Sequence, residues 1–227
     1  MRMKISFITS IILTSLLVSA NSFAEKYKTV EQRYGYALGK HIGEQVKHRY
    51  PDADKQAFID ALSDVLKGQK IKLTDKEINE AIISFRNKKM KQHVALGKAN
   101  LEEGKAFITR FRKEKGVKEL SNGIYYRIVK SGKGTSPGAT SKVQVHYRGT
   151  HINGKEFDSS YKRGQPATFP LKGVIKGWTI TLQKMQPGDK WQVVIPSDLA
   201  YGAEGPRGSS IGSNETLIFE IELLKVL

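Results

Sequence analysis

Apolar positions in residues 28 to 115 recur three and four apart, the period of a helix that buries one face. Tyr34, Ala37, Leu38, His41, Ile42 and Val46 mark one such face, and Pro51 ends it. Phe58, Ala61, Leu62, Val65 and Leu66 repeat the pattern in a second helix that stops at Gly68. In Thr74-Asp75-Lys76-Glu77 a hydroxyl and a carboxylate stand three apart to satisfy free amides, so a third helix begins there. With no strong breaker before Gly116, it can run about 40 residues, or about 60 Å. Its apolar stripe is clear at Ile78, Ile82 and Phe85, fades from Arg86 to His93 and returns weakly at Leu101, Phe107 and Phe111. A helix polar all round at its centre reads as a connector through solvent. Gly97 and Gly104 are points where it can bend or fray.

After Gly116 the period changes to two. Residues 124–130, 143–150, 191–195 and 216–226 read as strands, Asn153-Gly154 as a two-residue hairpin, and Pro187-Gly188-Asp189 as a turn. Residues 174–185 are the one helical stretch among them. The expected fold class is α+β: an all-helical N-terminal region, a long connecting helix, and a C-terminal antiparallel sheet wrapped around one short helix. Two helices and one end of a third make a thin core, so residues 25–73 are expected to pair with a second copy by a two-fold contact. Gly35, Gly39 and Gly43, spaced by four, would let two first helices approach closely. The alternative, that they merely loosen one helix, stays open.

The extreme N-terminus breaks both patterns. Arg2 and Lys4 precede a largely apolar stretch from Ile5 to Val18, and Ser22-Phe23-Ala24 follows as a small-x-small site before Glu25. Residues 1–24 are therefore expected to be a signal peptide, with cleavage after Ala20 as the rival. The domains expected are then 25–73 for dimerisation, 74–115 for the connecting helix with its first turns packed on that region, and 116–227 for the sheet domain.

Composition narrows the chemistry. The chain has no cysteine, which removes disulfides, thiol nucleophiles and thiolate metal sites. The formal charge is +16, and loss of residues 1–24 takes away two basic residues and no acidic one. The remaining charge is spread between the two halves, and only Arg86 to Lys91 forms a basic cluster. This argues against nucleic acid and for solvated helix faces with weak attraction to anionic surfaces such as lipid headgroups. None of the five histidines stands at ligand spacing to carboxylates, so no metal is expected, and no phosphate-binding or dinucleotide glycine pattern appears. What the second domain does have is Tyr147, Phe157, Phe169, Val174, Ile175, Trp178, Tyr201 and Phe219 around a single acid, Asp158. An apolar cup with one carboxylate and two phenols is a recognisable type of binding site.

The order and spacing of residues 145–149, 153–160, 174–178, 199–202 and 214–224 resemble the FKBP-type peptidyl-prolyl isomerases. The helical front half, long helix and signal peptide further resemble the macrophage infectivity potentiator (Mip) group of bacterial FKBPs. That resemblance implies an FKBP-like fold, a V-shaped homodimer formed through the N-terminal helices, and an exported enzyme that turns X-Pro bonds without a cofactor. The location implied is the periplasm, with outer-membrane association or secretion as variants. It also implies a site. Trp178 is the floor, with Tyr147, Phe157 and Phe219 as walls, Asp158 paired with Arg163 at the rim, and the Tyr201 hydroxyl and Ile175 amide donating to substrate carbonyls. Val174, Phe169, Ala167 and Ile211 complete the substrate contacts. Proline-containing polypeptides and macrolide inhibitors of the FK506/rapamycin type are the implied partners. A binding module that grips proline peptides or host surface molecules, with incidental turnover, shares the same pocket.

Overall fold

The structure is a computed structural model that describes residues 26–206 and 208–227. The expected signal peptide and its cleavage site lie outside the described residues. The chain divides after Thr74 into two compact units. Among the described residues no helix is long and apolar enough to cross a membrane.

The described residues of the first unit form two helices, α1 (Val30–Arg49) and α2 (Lys55–Leu66). Thr29 and Gln32 start α1 with a reciprocal capping box, and Asp54 caps α2 by accepting from the Ala57 N–H at 2.8 Å. The chain leaves α1 just before Pro51, where the missing N–H would break the ladder. The apolar faces predicted from periodicity are present but uncovered. No residue of α1 is buried, and Tyr34, Leu38, Leu62 and Val65 are all exposed.

The second unit begins with α3 (Asp75–Phe111), an unbroken helix of 37 residues. Residues 86–92 are exposed, as its polar middle predicts, but Ile82 and Phe85 of the apolar stripe before them are exposed as well. Beyond them the helix departs from the expected connector. Gly97 and Gly104 are buried, and a Cβ built there would lie 2.4 Å from Ser213 Oγ and 2.2 Å from Thr216 Oγ1. They are points of close approach, not of bending. Between them Asn100 Nδ2 donates to the Ser213 carbonyl at 2.7 Å, and one turn before them His93 Nε2 lies 3.1 Å from the Ala203 carbonyl. Docking by small residues and hydrogen bonds leaves only the weak apolar stripe that ends at the buried Phe111.

Seven antiparallel strands follow: β1 (Val117–Glu119), β2 (Tyr125–Lys130), β3 (Lys142–His151), β4 (Glu156–Ser159), β5 (Ala167–Pro170), β6 (Lys190–Ile195) and β7 (Leu217–Val226). The sheet order is β1-β2-β6-β7-β3-β4, and β5 also pairs with β3. Strands β1, β4 and β5 have three or four residues each, too short for an alternating pattern to register in the sequence. The long pair β3 and β7 runs from Val143 opposite Val226 to His151 opposite Leu217. Alternation places Val143, Val145 and Tyr147 on the same side as Leu217, Phe219, Ile221 and Leu223, and all seven are buried. Over this face lies α4 (Lys176–Leu182), shorter than the stretch predicted. Gly177 lets α4 pack tightly, because a Cβ there would sit 2.4 Å from Ile195 Cγ2.

Candidate active site

The other edge of β3 is shared. Its second half pairs with β4 and its first half with β5, so the chain from Ser160 to Pro166 loops out between them. Ser160, fully buried, closes the gap by accepting from the Tyr147 N–H at 2.8 Å. Side chains of β3, β4, β5 and β7, with Tyr201 and the chain from Gly173 to Trp178, line a cavity of about 250 Å³.

Trp178 is its floor, 4% exposed and held on α4. Three rings meet it edge-on, with centroids at 5.2 Å for Tyr147, 5.8 Å for Phe169 and 5.4 Å for Phe219. Such T-shaped contacts are favourable for aromatic quadrupoles and hold the indole in one orientation. Phe157 crosses Phe219 at 5.6 Å and 83°. It reaches that position because β3 carries Gly149 beneath it, where a Cβ would lie 2.5 Å from the Phe157 ring. Val174, Ile175 and Gly173 line the side where the chain enters α4, and Tyr201, 40% exposed, stands at the mouth. The Trp178 indole N–H is buried with no hydrogen-bond partner among the described residues, so the floor carries one unsatisfied donor.

The charged groups are confined to one rim. Asp158, opposite Gly149 on β4, accepts from the Tyr147 hydroxyl at 2.5 Å and from Arg163 Nη1. Arg163 Nη2 also donates to the Tyr147 oxygen at 2.7 Å, closing a triangle. Burial alone would push the Asp158 carboxyl up, but the bonds from Tyr147 and Arg163 outweigh it and hold the carboxyl below its usual range. Burial, then the bond to Asp158, pushes the Tyr147 hydroxyl up. Burial and the nearby Asp158 carboxylate do the same to Tyr201. Both phenols are therefore protonated at neutral pH, and the Tyr201 hydroxyl bonds to no described residue.

Nine of the twelve residues expected at the site line this cavity. Arg163 acts from behind the rim through Asp158 and Tyr147. Ala167 is half-buried on β5 opposite Val145, and Ile211 is buried in the core cluster, so neither lines the cavity. Gly173 also lines the cavity, by backbone alone. One feature escaped sequence reasoning: the Tyr147 hydroxyl joins the pair expected between Asp158 and Arg163.

Comparison with known proteins agrees with this geometry. Residues 133–224 match the family model for FKBP-type peptidyl-prolyl cis-trans isomerase, and residues 31–128 match the domain amino-terminal to that isomerase. The chain is 39% identical over 215 residues to the peptidyl-prolyl cis-trans isomerase Mip of Coxiella burnetii, covering 93% of each protein. The chain belongs to the FKBP-type peptidyl-prolyl cis-trans isomerases. It is an enzyme of that class with the α+β fold expected. The outer membrane protein MIP of Legionella longbeachae is 34% identical, with 99% of this chain and 98% of that protein covered. The crystal structure of FkpA from Escherichia coli superposes with a TM-score of 0.63 at 38% identity, covering 88% of this chain and 98% of that one. The helical domain of this FKBP-type isomerase is thus part of the family pattern, not an unrelated addition.

Proposed function

We propose that the cup above Trp178 is where the X-Pro bond turns. Rotation about that amide faces a barrier of roughly 18–20 kcal/mol, because it breaks the resonance that keeps the bond planar. The same resonance makes the planar amide dipolar, so the twisted transition state is less polar than either isomer. An apolar cup that strips water from the amide favours the twisted form over both planar ones. Trp178, Tyr147, Phe169 and Phe219 supply that surface around the prolyl ring. The protonated Tyr201 hydroxyl and the Ile175 N–H, which precedes the first turn of α4, donate to carbonyls beside the bond. Asp158, tied by Arg163 and Tyr147, keeps the rim polar and in place. The observation that carries this reading is the separation of an aromatic cup from charged groups on a single rim. No residue lining the cup is a serine, histidine or lysine, and noncovalent catalysis requires none.

The substrates in this reading are proline-containing stretches of exported polypeptides, and macrolides of the FK506/rapamycin type compete for the same cup. The protein helps its clients to fold as a homodimer joined through α1 and α2, whose uncovered apolar faces need a partner. It works in the bacterial envelope after residues 1–24 are removed. The test is the isomerisation rate of a short X-Pro peptide. Asp158→Ala and Tyr201→Phe should each lower kcat/KM about tenfold, or about 1.4 kcal/mol of transition-state stabilisation, with the folded state kept. If Asp158→Ala leaves the rate unchanged and unfolds the domain, Asp158 is a structural cap and the reading is wrong.

A further inference from the structure

His151, the last residue of β3, has no part in the cup. It is 7% exposed, and both ring nitrogens are occupied: Nδ1 lies 2.8 Å from Glu215 Oε2 and Nε2 lies 3.2 Å from Ser210 Oγ. A buried imidazole with both nitrogens bonded costs little, whereas one left unbonded would lose the full desolvation energy of that group. Both partners lie on the segment that follows Tyr201. That segment is closed at its base by the Asn214 N–H donating to the Gly202 carbonyl at 2.9 Å, one residue from Tyr201. From the other side α3 grips it through Asn100 and the Ser213 carbonyl.

The imidazole has a second contact. It meets the Phe157 ring edge-on, with centroids 5.3 Å apart at 74°. Phe157 is a wall of the cup and crosses Phe219 in turn. One side chain outside the cup therefore touches a wall of it and is bonded twice to the segment that starts at its mouth.

We infer that His151 is a positioning residue for the isomerisation, fixing the Phe157 wall and, through Glu215 and Ser210, the segment that carries on from Tyr201. The inference rests on the cup being the site of isomerisation. His151 acts through these neighbours and touches no substrate, so its removal displaces the wall without taking a group from the site.

The experiment compares His151→Leu, His151→Asn, Phe157→Leu and the double variant His151→Leu/Phe157→Leu in the full chain, with Asp158→Ala alongside. His151→Leu keeps an apolar body against Phe157 and loses both hydrogen bonds. It should lower kcat/KM for a short X-Pro peptide about tenfold, mostly in kcat, with KM moving less than about twofold. Asn places an amide at the depth of Nδ1 and should restore most of the rate through Glu215. The double variant should be slower than Phe157→Leu alone by clearly less than the tenfold that His151→Leu costs in wild type, because part of the effect passes through that ring and the rest through Glu215 and Ser210. If His151→Leu does not fold, Glu215→Gln replaces it and should show a smaller fall of the same kind. Fully additive losses, or folded His151→Leu or Glu215→Gln protein turning over at the wild-type rate, overturn the inference. Should Asp158→Ala also turn over at the wild-type rate, it is the cup assignment that falls.

Discussion

Tyr34, Leu38, Leu62 and Val65 lie on the helical faces that periodicity marks as apolar, and all four are exposed. Val143, Val145, Leu217, Ile221 and Leu223 lie on the strand faces that alternation marks as apolar, and none has measurable exposure. The two units read their own sequence equally well, yet only one of them buries what the pattern offers. The sheet unit closes on itself because β3, β6 and β7 present one continuous face that α4 covers. In the other unit the described residues offer two helices, of 20 and 12 residues, and no further layer. An apolar pattern specifies an element and the side it buries, but not the surface that buries it.

The comparison is broken most sharply at Trp178. Trp178→Ala removes the floor of the cup and part of the core together, and should cost about 3–5 kcal/mol in urea unfolding, independent of protein concentration. A concentration-dependent midpoint for that transition would mean that the sheet unit, too, needs a partner.

A smaller effect concerns where the sheet unit begins. A fragment from Asp75 should sediment as a folded monomer, whereas one from Gly116 loses the buried Phe111 ring and the Asn100 bond to Ser213. The second fragment should be less stable by about 2–4 kcal/mol, the sum expected for one buried aromatic and one hydrogen bond. Equal urea midpoints would show that α3 is held to the domain without stabilising it.

Gly39 sharpens the other side. Nothing lies within 4 Å of a Cβ built there, so Gly39→Ala in a lone helix should stabilise by about 1 kcal/mol. If α1 meets a second copy at Gly35, Gly39 and Gly43, the same methyl group should weaken the dimer, and sedimentation at falling concentration should show dissociation earlier than in wild type. That second outcome is expected. A tighter dimer would place the contact on another face of α1.

The smallest effect is in pH. The Asp158 carboxyl is held below its ordinary value of about 3.9, so its contribution is fully present above that value and is lost as pH falls through the lower folded value. The gap in urea midpoint between wild type and Asp158→Asn should therefore stay constant from pH 5 upward and close below about pH 4. A gap that closes near neutrality would mean that Asp158 is held high, with burial outweighing its two donors.

The cup was legible because its members cluster in five short stretches whose spacing is distinctive, from Val145 to Leu224. Three strands were not, since three or four residues carry too little alternation. Gly97 and Gly104 were misread for a related reason: a glycine in a helix looks like a weak point unless the surface that needs its missing side chain is in view. His151 was passed over because its partners lie 59 and 64 residues away, and no local spacing announces them.

By itself the sequence determined the helices, the long strands, the change of period near Gly116 and the residues of an apolar cup with one acid. The elements follow from local propensity and periodicity, which neighbouring residues decide among themselves, and the cup from motif spacing that resembles a known family. Only the tertiary structure decided that α3 docks through its glycines, that Tyr147 joins Asp158 and Arg163 in one hydrogen-bonded triangle, and that Ala167 and Ile211 stand outside the cavity. Those outcomes depend on which distant surfaces meet within a few ångströms, where packing and desolvation act and where no run of adjacent residues carries the information.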